Sequence, residues 1–234
     1  MPKKKYIQDL FDGIAPSYDA FNHITSFGID KTWRRRSLKH IIDRERPQKI
    51  LDIACGTGDY SIAVAKKMLP GGSLTGMDIS AGMMEVMGRK LAAQTLPVPV
   101  DMKVGDSEAT GFEDGSFDVV TIAFGIRNFE HREAALREIR RILRPGGRLV
   151  ILELSTPENK VLNALYNLYF SHIMPVIGGW LSGDKGPYNY LTASVKAFPR
   201  PAEWIRTMRE CGFAEVLHKP YTFGLCRLYV GTIE

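Results

Sequence analysis

Residues whose types and spacing could do chemistry begin at Asp52. The stretch Lys49-Ile50-Leu51-Asp52-Ile53-Ala54-Cys55-Gly56-Thr57-Gly58-Asp59-Tyr60 passes from an apolar run through two glycines into Ser61-Ile62-Ala63-Val64-Ala65, which reads as a helix. Strand, glycine turn and helix open a nucleotide-binding α/β unit. Gly56 and Gly58 let backbone approach a ligand with no Cβ in the way. The helix behind them offers free N–H groups and a positive dipole end. Asp78 closes the next apolar run, 22 residues after Gly56, where a carboxylate can accept both hydroxyls of a ribose. Two features bear on which nucleotide is held. The third glycine of the dinucleotide fingerprint is replaced by Ser61. Asp52 would repel a pyrophosphate but suits a ligand with an ammonium and a sulfonium. The pattern favours S-adenosyl-L-methionine over a nicotinamide dinucleotide; a plain strand-to-helix turn is the bland alternative. Cys55 lies inside the turn, and a packing role is expected of it rather than a nucleophilic one.

The elements that must position these groups follow from periodicity. Strands are expected at 49–54, 73–78, Val100–Val104, Phe117–Phe124 and Arg148–Leu154, separated by helices. Ser80 reads as an N-cap. Met84, Met87 and Leu91 share the core face of the helix after it, far more a packing stripe than a metal site. Ala135, Leu136, Ile139, Ile142 and Leu143 mark a helix over 132–143, ended by Pro145-Gly146-Gly147. Near-continuous apolar strands alternating with helices predict a parallel α/β sheet covered on both faces. Ligands then bind at the carboxyl ends of the strands. Those ends hold Gly56, Thr57, Gly58, Asp78, Asp106, Ser107, Arg127, Asn128 and Glu153. Asp106 and Ser107 stand where an adenine amino group can be read.

The chain has 234 residues, 44% hydrophobic and 24% charged, which fits one domain with a substantial core. It divides into an N-terminal helical lid or cap (1–48), an α/β core (49–155), an aromatic-rich insertion covering the substrate (156–200), and a last helix with two strands (201–234). The net charge of +5 is compatible with anionic partners but names none. The three cysteines, Cys55, Cys211 and Cys226, have neither disulfide nor metal-ligand spacing. A reducing cytoplasm is expected and no metal is. No apolar run reaches the roughly 18 residues of a membrane span. Lys3-Lys4-Lys5 reads as a solvated end. Phe11 to Asn22 mixes aromatics, carboxylates and helix breakers, as a lid over a pocket would. Residues 31–49 hold eight Lys or Arg against Asp43 and Glu45. That is either a solvated helix face or a surface for anionic lipid or nucleic acid. The insertion carries Leu162, Leu165, Tyr166, Leu168, Tyr169, Phe170, Ile173, Met174, Ile177 and Trp180, broken by Pro175 and Gly178-Gly179. It would make an apolar pocket for a lipophilic substrate, or only an added helical pair. A helix over 201–211 and strands near 215–223 and 225–233, turning at Phe223-Gly224, complete the chain.

From Phe11 to Gly231 the chain resembles the menaquinone/ubiquinone C-methyltransferases of the MenG/UbiE type. Tyr18 to Trp33 (Tyr-Asp-Ala-Phe-Asn-His-Ile-Thr-Ser-Phe-Gly-Ile-Asp-Lys-Thr-Trp) is similar to that family's N-terminal signature. Asp30 replaces a common His there, and Phe21 a common Met. Arg141 to Ser155 is similar to its second signature, with Arg144 for Lys. Phe124-Gly125-Ile126-Arg127-Asn128 resembles its motif after strand four. The resemblance implies a Rossmann-like class I methyltransferase: a mostly parallel seven-stranded sheet with an antiparallel last strand. It implies cofactor contacts from Thr57, Asp78, Asp106 and Ser107; a further serine of the family is Ala123 here.

It also implies methyl transfer to a ring carbon of a prenylated quinol. The expected acceptor is demethylmenaquinol, with the methoxy-polyprenyl-benzoquinol of ubiquinone synthesis as alternative. Such a site needs alignment, a group to hold a phenolate and a proton acceptor. Arg127 is assigned the phenolate and Asn128 the ring. Tyr18 and Asp19 are assigned lid closure or proton handling, with Glu153 a further candidate. A structural ion pair is the competing role for Arg127. A nucleic-acid methyltransferase is disfavoured, because Ala-Phe-Gly-Ile-Arg-Asn stands where the amino-directed enzymes carry Asn/Asp-Pro-Pro-aromatic. A non-catalytic nucleotide-binding module is disfavoured by the lid and the insertion. Peripheral membrane contact follows from a lipophilic substrate, and a homo-oligomer stays compatible with these features.

Overall fold

The computed structural model describes residues 3–169 and 186–234. Seven strands form one sheet in the order β3-β2-β1-β4-β5-β7-β6. They are β1 (Lys49–Ile53), β2 (Ser73–Asp78), β3 (Val100–Val104), β4 (Phe117–Ala123), β5 (Leu143–Leu154), β6 (Glu215–Tyr221) and β7 (Cys226–Thr232). β7 runs antiparallel to both of its neighbours, and the pairings from β3 to β5 are parallel. The helices are α1 (Lys4–Ile14), α2 (Tyr18–Thr25), α3 (Ile29–Ser37), α4 (Asp59–Ala65), α5 (Ala81–Ala92), α6 (Arg132–Ile142), α7 (Lys160–Leu168), α8 (Gly186–Ala197) and α9 (Pro201–Glu210).

Alternation along the central strands sorts side chains between two cores. Leu51, Ile53, Val120, Ile122, Leu149 and Ile151 pack with Leu136, Ile139 and Ile142 of α6 and Trp204 and Met208 of α9. Ile50, Val119, Val150 and Leu152 point the other way, onto Trp33, Tyr60 and Val64. Strand order reverses between β1 and β4, so their carboxyl ends open a crevice. Two non-glycine residues bordering that crevice adopt left-handed backbone: Ala54 (φ 53) after β1 and Phe124 (φ 62) after β4. Conformations this sparse persist only where the surroundings enforce them, and they cluster at functional sites.

The structure differs from the sequence reading at several boundaries. Lys4 is no solvated end. It opens α1, and its ammonium lies 2.6 Å from Asp106 and 2.8 Å from Glu108. α3 starts at Ile29 and passes at Ser37 into a 3₁₀ turn. β5 begins at Leu143, five residues earlier than Arg148, because Leu143 pairs with Phe117 across a shift of register. Pro145-Gly146-Gly147 therefore bends inside β5 and does not follow α6 as a turn. Between β6 and β7 the turn Thr222–Gly224 takes positive φ at all three residues. The aromatic insertion contributes α7 and α8; Phe170, Ile173, Met174, Pro175, Ile177, Gly178, Gly179 and Trp180 lie outside the described residues. Among the described residues no helix is long and apolar enough to cross a membrane.

Gly125 shows how tightly the crevice is closed at its base. A Cβ added there would lie 2.5 Å from the Ala54 Cβ, a contact that no side-chain rotation can relieve. Gly125→Ala should therefore cost about 1–3 kcal/mol of stability, read as a fall of several degrees in Tm. An unchanged Tm would show that the two turns are not in rigid contact.

Candidate functional site

The carboxyl ends of β1, β2 and β4 carry a cavity roofed by α1 in which a few polar groups stand among apolar walls. Asp78 accepts the Gly56 N–H (2.8 Å) and the Ser80 N–H (2.9 Å), which fix its carboxylate at the cavity wall. Burial pushes its carboxyl above the ordinary value, and those amides oppose the shift. Gly56, Asp78, Asp106 and Ser107 all border this cavity, with Lys4, Ile7 and Phe11 of α1 across from them. Two clasps hold α1 in place. Lys4 bonds Asp106, as above, and Asp12 accepts the Ser80 hydroxyl (2.5 Å) and the Gly82 N–H (2.9 Å) at the start of α5.

A second, smaller recess lies behind the glycine turn and is rich in acids: Asp19, Asp52 and Asp59, with Thr57 and Arg34. Asp52 is 1% exposed. It accepts the Ser61 hydroxyl (2.5 Å) and the Thr121 hydroxyl (2.7 Å). Ser61 thus does at this position what a third glycine would not. Burial pushes the Asp52 carboxyl up to about 6, against those two hydrogen bonds. The Thr57 hydroxyl donates to Asp19 (2.5 Å), and Lys90 of α5 pairs with both Asp19 and Asp59. This cluster locks α2 onto the glycine turn, where Gly58 takes φ 83. Cys55 is packed between Met84 and Met87, its sulfur 3.5 and 3.6 Å from theirs. Burial holds its thiol well above the usual range.

The third space is an apolar cavity of about 740 Å³. Ile29, Trp33, Leu162, Leu165, Tyr166 and Phe223 are among its walls, so α3, α7 and the β6–β7 turn all contribute. Tyr18 borders all three spaces. Phe124 borders the roofed cavity and the apolar one. Arg127 reaches the apolar cavity from the turn after β4. Its Nη1 donates to Glu153 (2.7 Å) and to the Phe124 carbonyl, and its backbone N–H donates to Glu153 (3.0 Å). Burial works against the Arg127 charge, and the Glu153 carboxylate outweighs it, raising the guanidinium pKa. Glu153 also accepts the Leu154 N–H (2.8 Å), so the carboxylate is spent on holding Arg127. Asn128 borders the roofed cavity, not the apolar one, and accepts the Tyr190 hydroxyl (2.8 Å) from α8.

Of the residues singled out from sequence, the structure gathers Gly56, Asp78, Asp106, Ser107 and Asn128 around one cavity, and Asp19, Asp52 and Thr57 around the recess. Arg127 stands at the apolar side and Tyr18 at the junction. Sequence reasoning missed Lys4, Asp12, Lys90 and Tyr190, whose partners are distant in the chain. Arg34 stood in the sequence only as one member of a basic run. The donor set fits S-adenosylmethionine: a carboxylate at Asp78 where a ribose can be met, an acidic recess for the amino-acid end, and basic groups there (Arg34, Lys90) that are already paired with Asp30, Asp19 and Asp59.

Asp52 also gives a pH signature. Its folded-state pKa is raised, so its contribution to stability is fully present below about pH 4 and lost as pH climbs through about 6. That loss amounts to roughly 3 kcal/mol. Relative to wild type, Asp52→Asn should gain unfolding free energy between pH 4 and 7 in denaturant titrations. A difference that stays constant with pH would mean the carboxyl ionises alike in both states.

Comparison with known proteins agrees with the geometry. A demethylmenaquinone methyltransferase from Bacteroides fragilis is 40% identical over 98% of this chain and 93% of its own length. A ubiquinone/menaquinone biosynthesis C-methyltransferase UbiE from Geobacter sulfurreducens is 42% identical over 98% of this chain and 89% of its own. The crystal structure of a SAM-dependent methyltransferase from Thermotoga maritima, a possible histamine N-methyltransferase, superposes with a TM-score of 0.65 at 18% identity, over 97% of this chain and 99% of that one. That likeness shows the class I methyltransferase fold. Residues 1–233 match the ubiE/COQ5 methyltransferase family, and this chain belongs to it.

Proposed function

We propose that the protein transfers the methyl group of S-adenosylmethionine to a ring carbon of a prenylated quinol, with demethylmenaquinol as the acceptor. The observation that carries this is the meeting, at Tyr18 and Phe124, of a roofed cavity bordered by Gly56, Asp78, Asp106 and Ser107 and a 740 Å³ apolar one. An isoprenoid quinol suits the second as a nucleoside suits the first. Relatives named for demethylmenaquinone point to the naphthoquinol. Those named UbiE keep the methoxybenzoquinol as the second reading.

When bound, S-adenosylmethionine supplies an electrophilic methyl carbon on a sulfonium. The chain supplies the rest. Asp78, Asp106 and Ser107 hold the adenosine, while Asp52 and Thr57 shape the recess for the amino-acid end. Arg127, fixed by Glu153, stabilises the phenolate whose formation makes the neighbouring ring carbon nucleophilic. Asn128, bonded to Tyr190, ties α8 to the turn that carries Arg127. Tyr18 closes the junction against water and handles the phenol proton. Asp19 latches α2 to the glycine turn through Thr57 and Lys90. The apolar cavity opens between Phe27, Leu165 and Phe223, which are 80%, 58% and 79% exposed. Such a rim would sit against a bilayer as a peripheral contact while the prenyl chain stays in lipid.

Labelled methyl transfer, assayed with reduced prenyl-naphthoquinone and reduced prenyl-methoxybenzoquinone, tests the reaction. Turnover of the naphthoquinol is expected. Arg127→Lys, which keeps a charge beside Glu153, should lower kcat by about 10²–10³-fold at unchanged affinity for S-adenosylhomocysteine. Absence of turnover with both acceptors would break the quinol assignment. Vesicle co-sedimentation checks the rim. Wild type should pellet with anionic liposomes and the Phe27→Ser, Phe223→Ser double variant should not; equal pelleting would refute the contact.

A further inference from the structure

Arg34 of α3 has a relationship to Phe124 that parallels that of Arg127. Its guanidinium carbon lies 5.5 Å from the centre of the Phe124 ring, while Arg127 bonds the carbonyl of the same residue. Both arginines border the 740 Å³ cavity. Each is held by one arm. Nη1 of Arg34 lies 3.0 Å from Asp30 and 3.5 Å from Asp59, and Nη1 of Arg127 lies 2.7 Å from Glu153. The Nε of each is buried without a hydrogen-bond partner among the described residues. Neither Nη2 makes a hydrogen bond to the described residues. Both guanidinium groups therefore border one apolar cavity with an Nη2 arm to offer, and in such a wall a hydrogen bond from a cation to a ligand oxygen is stronger than in water. The lining offers them little else, being apolar over most of its wall.

A 1,4-quinol carries two oxygens at opposite ends of one ring. We propose that Arg34 and Arg127 form a two-arginine clamp on a 1,4-dihydroxy ring. Arg127 meets the oxygen beside the methyl-accepting carbon, and Arg34 meets the oxygen para to it. Arg34 is then a specificity-determining residue that selects diols over mono-ols. Discrimination of this kind is strong because a missing hydroxyl leaves a buried donor unpaired. The inference rests on the quinol reading above, and its test separates the two.

The test measures binding, so it does not depend on turnover. Anaerobic quenching of tryptophan fluorescence, with Trp33 in the cavity wall, reports dissociation constants on the S-adenosylhomocysteine complex. The ligands are a short-chain prenyl-1,4-naphthalenediol and its analogue lacking the hydroxyl beside the prenyl carbon. Wild type should prefer the diol, and Arg34→Met should lower that preference about ten- to hundredfold by weakening the diol alone. Arg34→Lys keeps a cation for Asp30 and Asp59 but has no second arm, and should lose the preference likewise with an unchanged Tm. An unaltered preference in both variants overturns the clamp. So does a loss confined to S-adenosylhomocysteine affinity, which would give Arg34 to the cofactor recess. Diol binding without methyl transfer would leave the clamp standing and sink the reaction.

Discussion

The buried pair of Arg127 and Glu153 is the interaction on which the site depends. Glu153 is 0% exposed and Arg127 6%. Two charges so far from water are tolerable only when their remaining donors and acceptors are met. Glu153 meets this by taking three donors: the Arg127 side chain, the Arg127 amide and the Leu154 amide. The bond from Arg127 to the Phe124 carbonyl extends the arrangement into the turn after β4. The left-handed Phe124 is thereby held with its ring between the roofed cavity and the apolar one. Gly125 follows because only a glycine clears Ala54. One ion pair at the end of β5 thus determines the backbone of the neighbouring turn and leaves one arm of Arg127 for the cavity.

The three spaces divide the chemistry by dielectric. Acids crowd the recess behind the glycine turn, where positive charge belongs. The large cavity is apolar over most of its wall and is bordered by two cations, Arg34 and Arg127. A phenolate next to a guanidinium in such a wall gains more than it would in water. Asp52 contributes by position rather than by contact: with both oxygens taken by Ser61 and Thr121, it ties β1, α4 and β4 together beneath the ligand.

Much of this was legible in the sequence, and the reasons differ by element. β1 and β2 stand out because short, largely apolar runs end in glycine or acid, and β3 because Val100, Met102 and Val104 alternate with charged residues before Gly105. The Ser80 cap was readable because capping is local, and its hydroxyl accepts the Met83 N–H as expected (3.1 Å). Asp78, Asp106 and Ser107 follow from strand ends alone. The start of β5 was hidden because Pro145 and two glycines mimic a helix stop, while the pairing of Leu143 with Phe117 is a sheet property. Lys4 and Asp106 meet across 102 residues, and no window of sequence carries that contact. Arg34 was hidden by its neighbours: Arg35 and Arg36 face solvent, and only the turn of α3 separates the inward cation from them.

The N-terminal helices show why a site of this kind is assembled from distant pieces. α1 roofs the first cavity and is fastened at both ends, by Lys4 to Asp106 and Glu108, and by Asp12 to Ser80 and Gly82. Lys4, Asp106 and Asp12 are partly exposed, and partly exposed ion pairs are individually weak, near 1 kcal/mol or less. α2 is fastened by the Asp19, Thr57 and Lys90 cluster, also half-buried. Contacts of that strength close a site without sealing it. The sheet beneath is different: Arg127, Glu153 and Asp52 are buried, and each is anchored by hydrogen bonds to neighbouring elements. A cofactor that must enter and leave on every turnover therefore passes under a roof held by weak bonds, while the groups that align the transfer stay fixed in the strong ones.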